Sequence, residues 1–145
     1  MSRSTEQRLA TAAPTALLVL GILGFIPGIT THYGDMKFAG DSSDAQLLGI
    51  FQVSILHNIV HLLFGIVGLA LARTWEGARQ FLIGGGVIYL VLFVYGAIFN
   101  GDEGANFVPV NWADNILHVV LGLGMVALGV LFGREGVARR GAVAA

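Results

Sequence analysis

The chain contains no cysteine, which excludes disulfides, thiolate metal sites and cysteine nucleophiles and leaves the redox compartment unread. Charge is scarce as well. Asp, Glu, Lys and Arg make up 12% of the 145 residues, against roughly 25% in soluble domains. A formal net charge of −1 removes the basic face that nucleic acid requires, so no nucleic-acid partner is expected. Nucleophile elbows, phosphate loops and dinucleotide fingerprints are missing. Gly84-Gly85-Gly86 lies inside an apolar run with no Lys-Ser/Thr after it. No catalytic set is present apart from what a bound metal or haem would supply, so an enzyme is not the first expectation.

What the chain does have is apolar length. Hydrophobic residues make up 55% of it, and the mean hydropathy is positive. Four apolar segments emerge, at about residues 12–29, 47–72, 81–99 and 112–132, each near the roughly 20 residues that cross a bilayer as a helix. The run Val87-Ile88-Tyr89-Leu90-Val91-Leu92-Phe93-Val94 lacks the polar/apolar alternation of a barrel strand. The expectation is one integral domain over residues 1–145, an all-α, four-helix transmembrane bundle in the cell membrane with the lipid bilayer as its partner. Gly28-Ile29-Thr30-Thr31-His32-Tyr33 offers no small-x-small cleavage site, so the first segment is expected to be retained.

Basic residues set the orientation. Arg3, Arg8, Arg73, Arg79, Arg134, Arg139 and Arg140 fall on one side of such a bundle and only Lys37 on the other. By the positive-inside rule both termini are expected to be cytoplasmic. The opposite loops hold Asp35, Asp41, Asp44, Asp102 and Glu103. In the first of them, Asp41-Ser42-Ser43-Asp44 reads as an N-cap for the second helix. The second, Asn100 to Asn111, contains Gly101, Gly104 and Pro109 and reads as irregular, with Pro109 just ahead of the fourth helix. The tail from Arg139 to Ala145 reads as a frayed, solvated end.

Residues 56–72 and 113–129 align without gaps, pairing Asn58 with Asn115, Ile59 with Ile116, His61 with His118 and Gly65 with Gly122. The two halves are then parallel-related helical hairpins, an arrangement known from transporter repeats. From His61 to Ala72 is about 16 Å of helix, which sets His61 near the bilayer middle and His57 and Asp114 one turn further out. Residues four apart share a helix face. One face therefore carries Ser54, His57, His61, Gly65, Gly68 and Ala72, and the other Asn111, Asp114, His118 and Gly122. Small residues on both faces are expected to let the second and fourth helices approach. Gly24-x-x-x-Gly28 and Gly84-Gly85-Gly86 add close-packing surface. Such Gly-rich faces also suit a homo-oligomer.

Polar groups in a membrane-length apolar run are a functional hypothesis by default. The candidate site is His57, His61, Asp114 and His118, supported by Asn58, Asn115, Ser54 and Asn111. Three readings stand open. The cluster can be interhelical hydrogen-bonding glue, at about 0.6 kcal/mol per contact. The i, i+4 histidine pair with Asp114 and His118 also makes an N/O donor set for a transition metal, and His61 with His118 makes an axial pair for haem. The third reading is a proton or small-solute pathway, since Asp/His chains mark such relays. Trp75 and Trp112 suit an interfacial belt and Tyr89 and Tyr95 an interface or packing role; the open alternative has Tyr89, Tyr95 and Asn100 pointing at the cluster from the third helix.

The stretch from Leu47 through His57-Asn58-Ile59-Val60-His61 to Gly65, with Val110-Asn111-Trp112-Ala113-Asp114-Asn115-Ile116-Leu117-His118, resembles a bacterial and archaeal family of small four-helix membrane proteins, domain-of-unknown-function family 4383. The likeness runs from the first apolar segment to the fourth. It implies a multi-pass membrane protein and brings no activity, substrate or cofactor with it.

Overall fold

Helix α1 (Thr5–Leu23) ends earlier than its hydropathy suggests. Pro27 and Gly28, the latter at φ +93°, turn the chain. The Thr30 hydroxyl then donates to the carbonyls of Leu23 and Gly24, 3.1 and 3.2 Å away, answering helix-end acceptors that would otherwise be orphaned. The computed structural model describes residues 5–40, 42–99 and 107–143. Arg3, Asp41, Asn100, Gly101, Asp102, Glu103, Gly104 and the side chains of Arg134, Arg139 and Arg140 lie outside the described residues.

The next apolar run is not one helix. A segment read from the sequence as the start of the second helix instead folds into a β ribbon. Strand β1 (Thr30–Thr31) pairs antiparallel with β2 (Gln46–Leu47), and β2 with β3 (Phe51–Gln52). The turn between β2 and β3 uses Leu48 and Gly49 at φ 55° and 69°, left-handed conformations no helix tolerates. Helix α2 therefore spans Ile55–Leu71, with Ser54 as its N-cap. Ser43, expected to help cap that helix, instead donates its hydroxyl to Val53 O at 2.7 Å and accepts from Lys37 N. The first amides of α2 are met by the Lys37 and Phe38 carbonyls of the outer loop.

Helix α3 runs Trp75–Phe99, six residues longer at its start than read from hydropathy. The Thr74 hydroxyl caps it by accepting from Gly77 N at 3.0 Å. Helix α4 runs Trp112–Val143, so the backbone expected to fray beyond Arg139 is helical to Val143. Arg, Glu and Ala in this end favour helix, against three glycines that do not.

Among the described residues these are the four α-helices, and the all-α class holds apart from the ribbon. Two of them, α3 and the stretch Trp112–Leu131 of α4, are long and apolar enough to cross a membrane, while Ala10–Leu23 and Ile55–Leu71 are apolar but shorter. The expected four full-length spans are therefore met in length by two.

α1 packs mainly on α2, and α3 on α4, giving two hairpins. Glycine decides both contacts. A Cβ on Gly65 would stand 2.6 Å from Leu18 Cβ of α1, and one on Gly122 would stand 2.8 Å from Leu90 of α3. The small-residue stripes thus join each helix to its own hairpin partner, and on α2 Gly68 also meets Phe81 of α3. The backbones of α2 and α4 do not pack closely, contrary to the expected approach of those two helices. Gly28 lies in the turn and Gly84 faces open space, so neither supplies the close-packing surface expected of it. Gly85 and Gly86 do, against Met125 and Val126.

Candidate histidine site

Ser54 and Asn111 occupy equivalent places in the repeat, and both are N-caps. Ser54 Oγ accepts from His57 N at 3.1 Å, and Asn111 Oδ1 accepts from Asp114 N at 3.0 Å. His57 and Asp114 therefore sit at the third position of their helices, and His61 and His118 one turn deeper. The cluster lies in the first two turns of α2 and α4, closer to the helix starts than an α2 beginning at Leu47 would have put it.

The paired asparagines are fully buried at 0% exposure. Each is seated on a glycine at the end of the neighbouring helix: Asn58 fills the place of a Cβ on Gly24, and Asn115 the place of one on Gly96. Asn58 Nδ2 reaches Met36 Sδ at 3.9 Å. Both asparagines hold each hairpin in register, and the Gly24/Gly96 correspondence extends the repeat to α1 and α3, where the sequence match is weak.

Asp114 departs from its expected role. Its Oδ2 accepts from Asn111 N and from Gln52 N, both at 3.0 Å. The first bond completes a reciprocal capping box with Asn111. The second ties strand β3 to α4, and Asn111 Nδ2 adds a 2.7 Å bond to Ile50 O. Gln52 is the residue sequence reading missed; its contribution is a backbone amide, which carries no side-chain signal. Ser54 and Asn111 likewise act as caps.

The histidines do converge. The ring of His57 lies 4.5 Å from that of His61 and 6.4 Å from that of His118, and Tyr89 from α3 stacks 5.3 Å from His118. All four rings line one cavity of about 180 Å³ between α2, α3 and α4. His57 and His118 are 5% and 3% exposed. The His57 ring hydrogen-bonds the backbone of Pro109, and since proline offers only a carbonyl, histidine is the donor. Among the described residues, Nδ1 of His57, of His61 and of His118 has no hydrogen-bond partner, and neither have Asn58 Oδ1 and the two side-chain polar atoms of Asn115. Buried polar groups are nearly always paired, so three such atoms around one cavity call for an explanation. Tyr95 points elsewhere: its hydroxyl accepts from Phe107 N at 2.8 Å.

Among the described residues, no group of three or more His, Asp or Glu side chains is arranged to hold a metal ion. The described residues buried with polar side chains are Thr30, Ser43, Ser54, His57, Asn58, Asp114, Asn115 and His118. All lie at the ribbon end of the helices. The opposite half is closed by an apolar core that includes Leu17, Phe81, Leu82 and Met125, with Phe64 and Leu121 packed on it.

Neither a curated protein nor a solved structure matches this chain significantly. A family model does, over residues 7–131, and the chain belongs to the family described as Domain of unknown function (DUF4383).

Proposed function

We propose that this chain is a four-span membrane protein, with both termini cytoplasmic, that holds a small ligand in a blind chamber among His57, His61, His118 and Tyr89. The membrane part of this reading rests on where apolar area is left. Only 33% of the apolar window in α3 and in α4 is buried, which a soluble core helix would not allow. All four helices expose large aliphatic residues, among them Val19, Leu63, Val91 and Leu123. Contiguous exposed apolar surface on this scale suits lipid and not water. The 17 residues of α2 measure about 25 Å, enough for a span with modest local thinning of the bilayer. The topology follows from the arginines. In this cysteine-free chain, Ser42→Cys is expected to react with an impermeant maleimide on intact cells, and Arg79→Cys only after permeabilisation. The reverse pattern would invert the topology.

One observation carries the ligand reading: among the described residues, three buried, unpartnered histidine nitrogens belong to rings that line a single cavity. The apolar core on the cytoplasmic side supports a dead end rather than a conduit, which weighs against a proton or solute pathway. A chamber of about 180 Å³ is too small for a porphyrin, given that drug-sized ligands need roughly 300–1,000 Å³.

Glue and ligand site make opposite predictions for stability. If the histidines are interhelical glue, His118→Phe removes favourable contacts and lowers stability by about 0.6 kcal/mol. If they await a ligand, the ligand-free protein already carries unsatisfied polar atoms, each costing about 1–3 kcal/mol. Phenylalanine keeps the ring against Tyr89 and removes such an atom. His118→Phe is therefore expected to raise the stability of delipidated protein by about 1 kcal/mol, read from denaturant unfolding in detergent. A clear loss would return the cluster to packing. A stoichiometric metal or a Soret band that disappears in the same variant would replace the ligand reading with a metal or haem one.

A further inference from the structure

We infer that the chamber takes the head of a lipid-soluble ring compound of the quinone/quinol class, entering sideways from the bilayer between α2 and α3. The inference rests on the ligand-site reading above and names the ligand's chemistry.

Access comes first. Val60 of α2 and Ile88 of α3 line the cavity and are also 38% and 44% exposed on the outer surface. They form its mouth. Ile59, Leu63, Val87 and Val91 around them are exposed and aliphatic, so the mouth opens onto the lipid-facing surface. The β ribbon is tied down through Gln52 N and Ile50 O, and its Leu47 and Phe51 line the adjoining small cavity beside the same histidines. A ligand reaching these histidines partitions from lipid.

Size comes next. An apolar cavity of about 150 Å³ accommodates benzene, so about 180 Å³ accommodates one substituted ring and no long chain. A tail must leave through the mouth and lie along α2 and α3.

Polarity selects the head. Among the described residues no lysine or arginine lines the chamber, and Asp114 borders the adjoining small cavity beside the same histidines. An anionic head would meet no cation there. With its other nitrogen donating to the Pro109 carbonyl, His57 keeps Nδ1 as a buried acceptor beside the chamber. His61, His118 and Tyr89 line it from three helices, α2, α4 and α3. A single hydroxyl, as on a fatty alcohol, satisfies one of these groups and strands the rest. A ring bearing oxygens on opposite edges meets groups on more than one wall, as carbonyl acceptor or hydroxyl donor.

The test uses the full chain in lipid nanodiscs, titrated with decylubiquinone, decanol and decanoate against protein-free discs. Decylubiquinone is expected to bind saturably, one per chain. His118→Phe and the mouth-filling Val60→Trp should each weaken it at least tenfold, with Ile88→Trp as a second mouth variant should Val60→Trp not fold. Decanol or decanoate binding as tightly, with the same histidine dependence, would overturn the quinone class and leave the ligand site standing. Saturable quinone binding that ignores all the substitutions would overturn the assignment to this chamber. If none of the three probes binds above empty discs, and His118→Phe also destabilises the protein, the ligand site and its quinone class fall together.

Discussion

Gly65→Ala is expected to destabilise the protein by about 2–3 kcal/mol, the upper part of the range for overpacking a close contact. The added Cβ would stand 2.6 Å from Leu18 Cβ and 2.7 Å from both Leu18 Cα and Leu18 N. Two of those atoms are backbone, so no rotamer change relieves the clash and α1 must shift off α2. Gly84→Ala is the matched control, because nothing lies within 4 Å of its Cβ position. Alanine is the better helix former by roughly 0.5–1 kcal/mol, so Gly84→Ala should be neutral or slightly stabilising. Denaturant titration of both variants in detergent decides the matter. Equal midpoints would mean that α1 does not lie on α2 through this glycine.

That pair also indicates how far the sequence could be read. Glycine spacing announced close packing correctly, but a small-residue stripe carries no address. The stripe on α2 was expected to meet α4, and it meets α1 and α3 instead, through Leu18, Pro14 and Phe81. Hydropathy located all four helices and misplaced the start of α2 by eight residues. The run from Leu47 to Val53 is as apolar as the helix it precedes, and short apolar runs do not distinguish strand from helix. The information that breaks it lies in two left-handed backbone positions, Leu48 and Gly49, and leucine gives no sign of adopting one.

The repeat was the most legible part. Asn58 and Asn115, His61 and His118, and Gly65 and Gly122 occupy matching structural positions, and the histidines do converge. What the spacing concealed was the division of labour. Asp114 and His57 share a repeat position, and i, i+4 spacing to a histidine made both look like ligands. The competing signal was Asn111-x-x-Asp114 at a helix start, which is capping-box spacing with aspartate in place of the usual Glu or Gln. Ser54-x-x-His57 has the same frame but lacks the returning carboxylate, so its histidine is left free to face the cavity.

Asp114→Ala is therefore expected to cost at least as much as Gly65→Ala, a loss of about 2–4 kcal/mol. One oxygen serves two amides, Gln52 N and Asn111 N, each 3.0 Å away in a part-buried setting. Leaving a buried donor unsatisfied costs about 1–3 kcal/mol, and the helix start depends on the same carboxyl. Asp114→Asn keeps an acceptor oxygen and should lose about half as much. The damage has a signature in space. Hydrogen exchange should speed up first at Gln52 and Asn111, with the α3–α4 core protected, because the bond to Gln52 is what ties β3 to α4 over the histidines. A metal-ligand role gives the opposite pattern: Ala and Asn would be equally harmful to ion binding, and ligand-free unfolding would not change. An unaltered unfolding midpoint in Asp114→Ala would remove Asp114 from the cap and reopen it as a ligand. A graded loss from Asn to Ala, with local exchange at the ribbon, would fix it as the latch that holds the ribbon on α4.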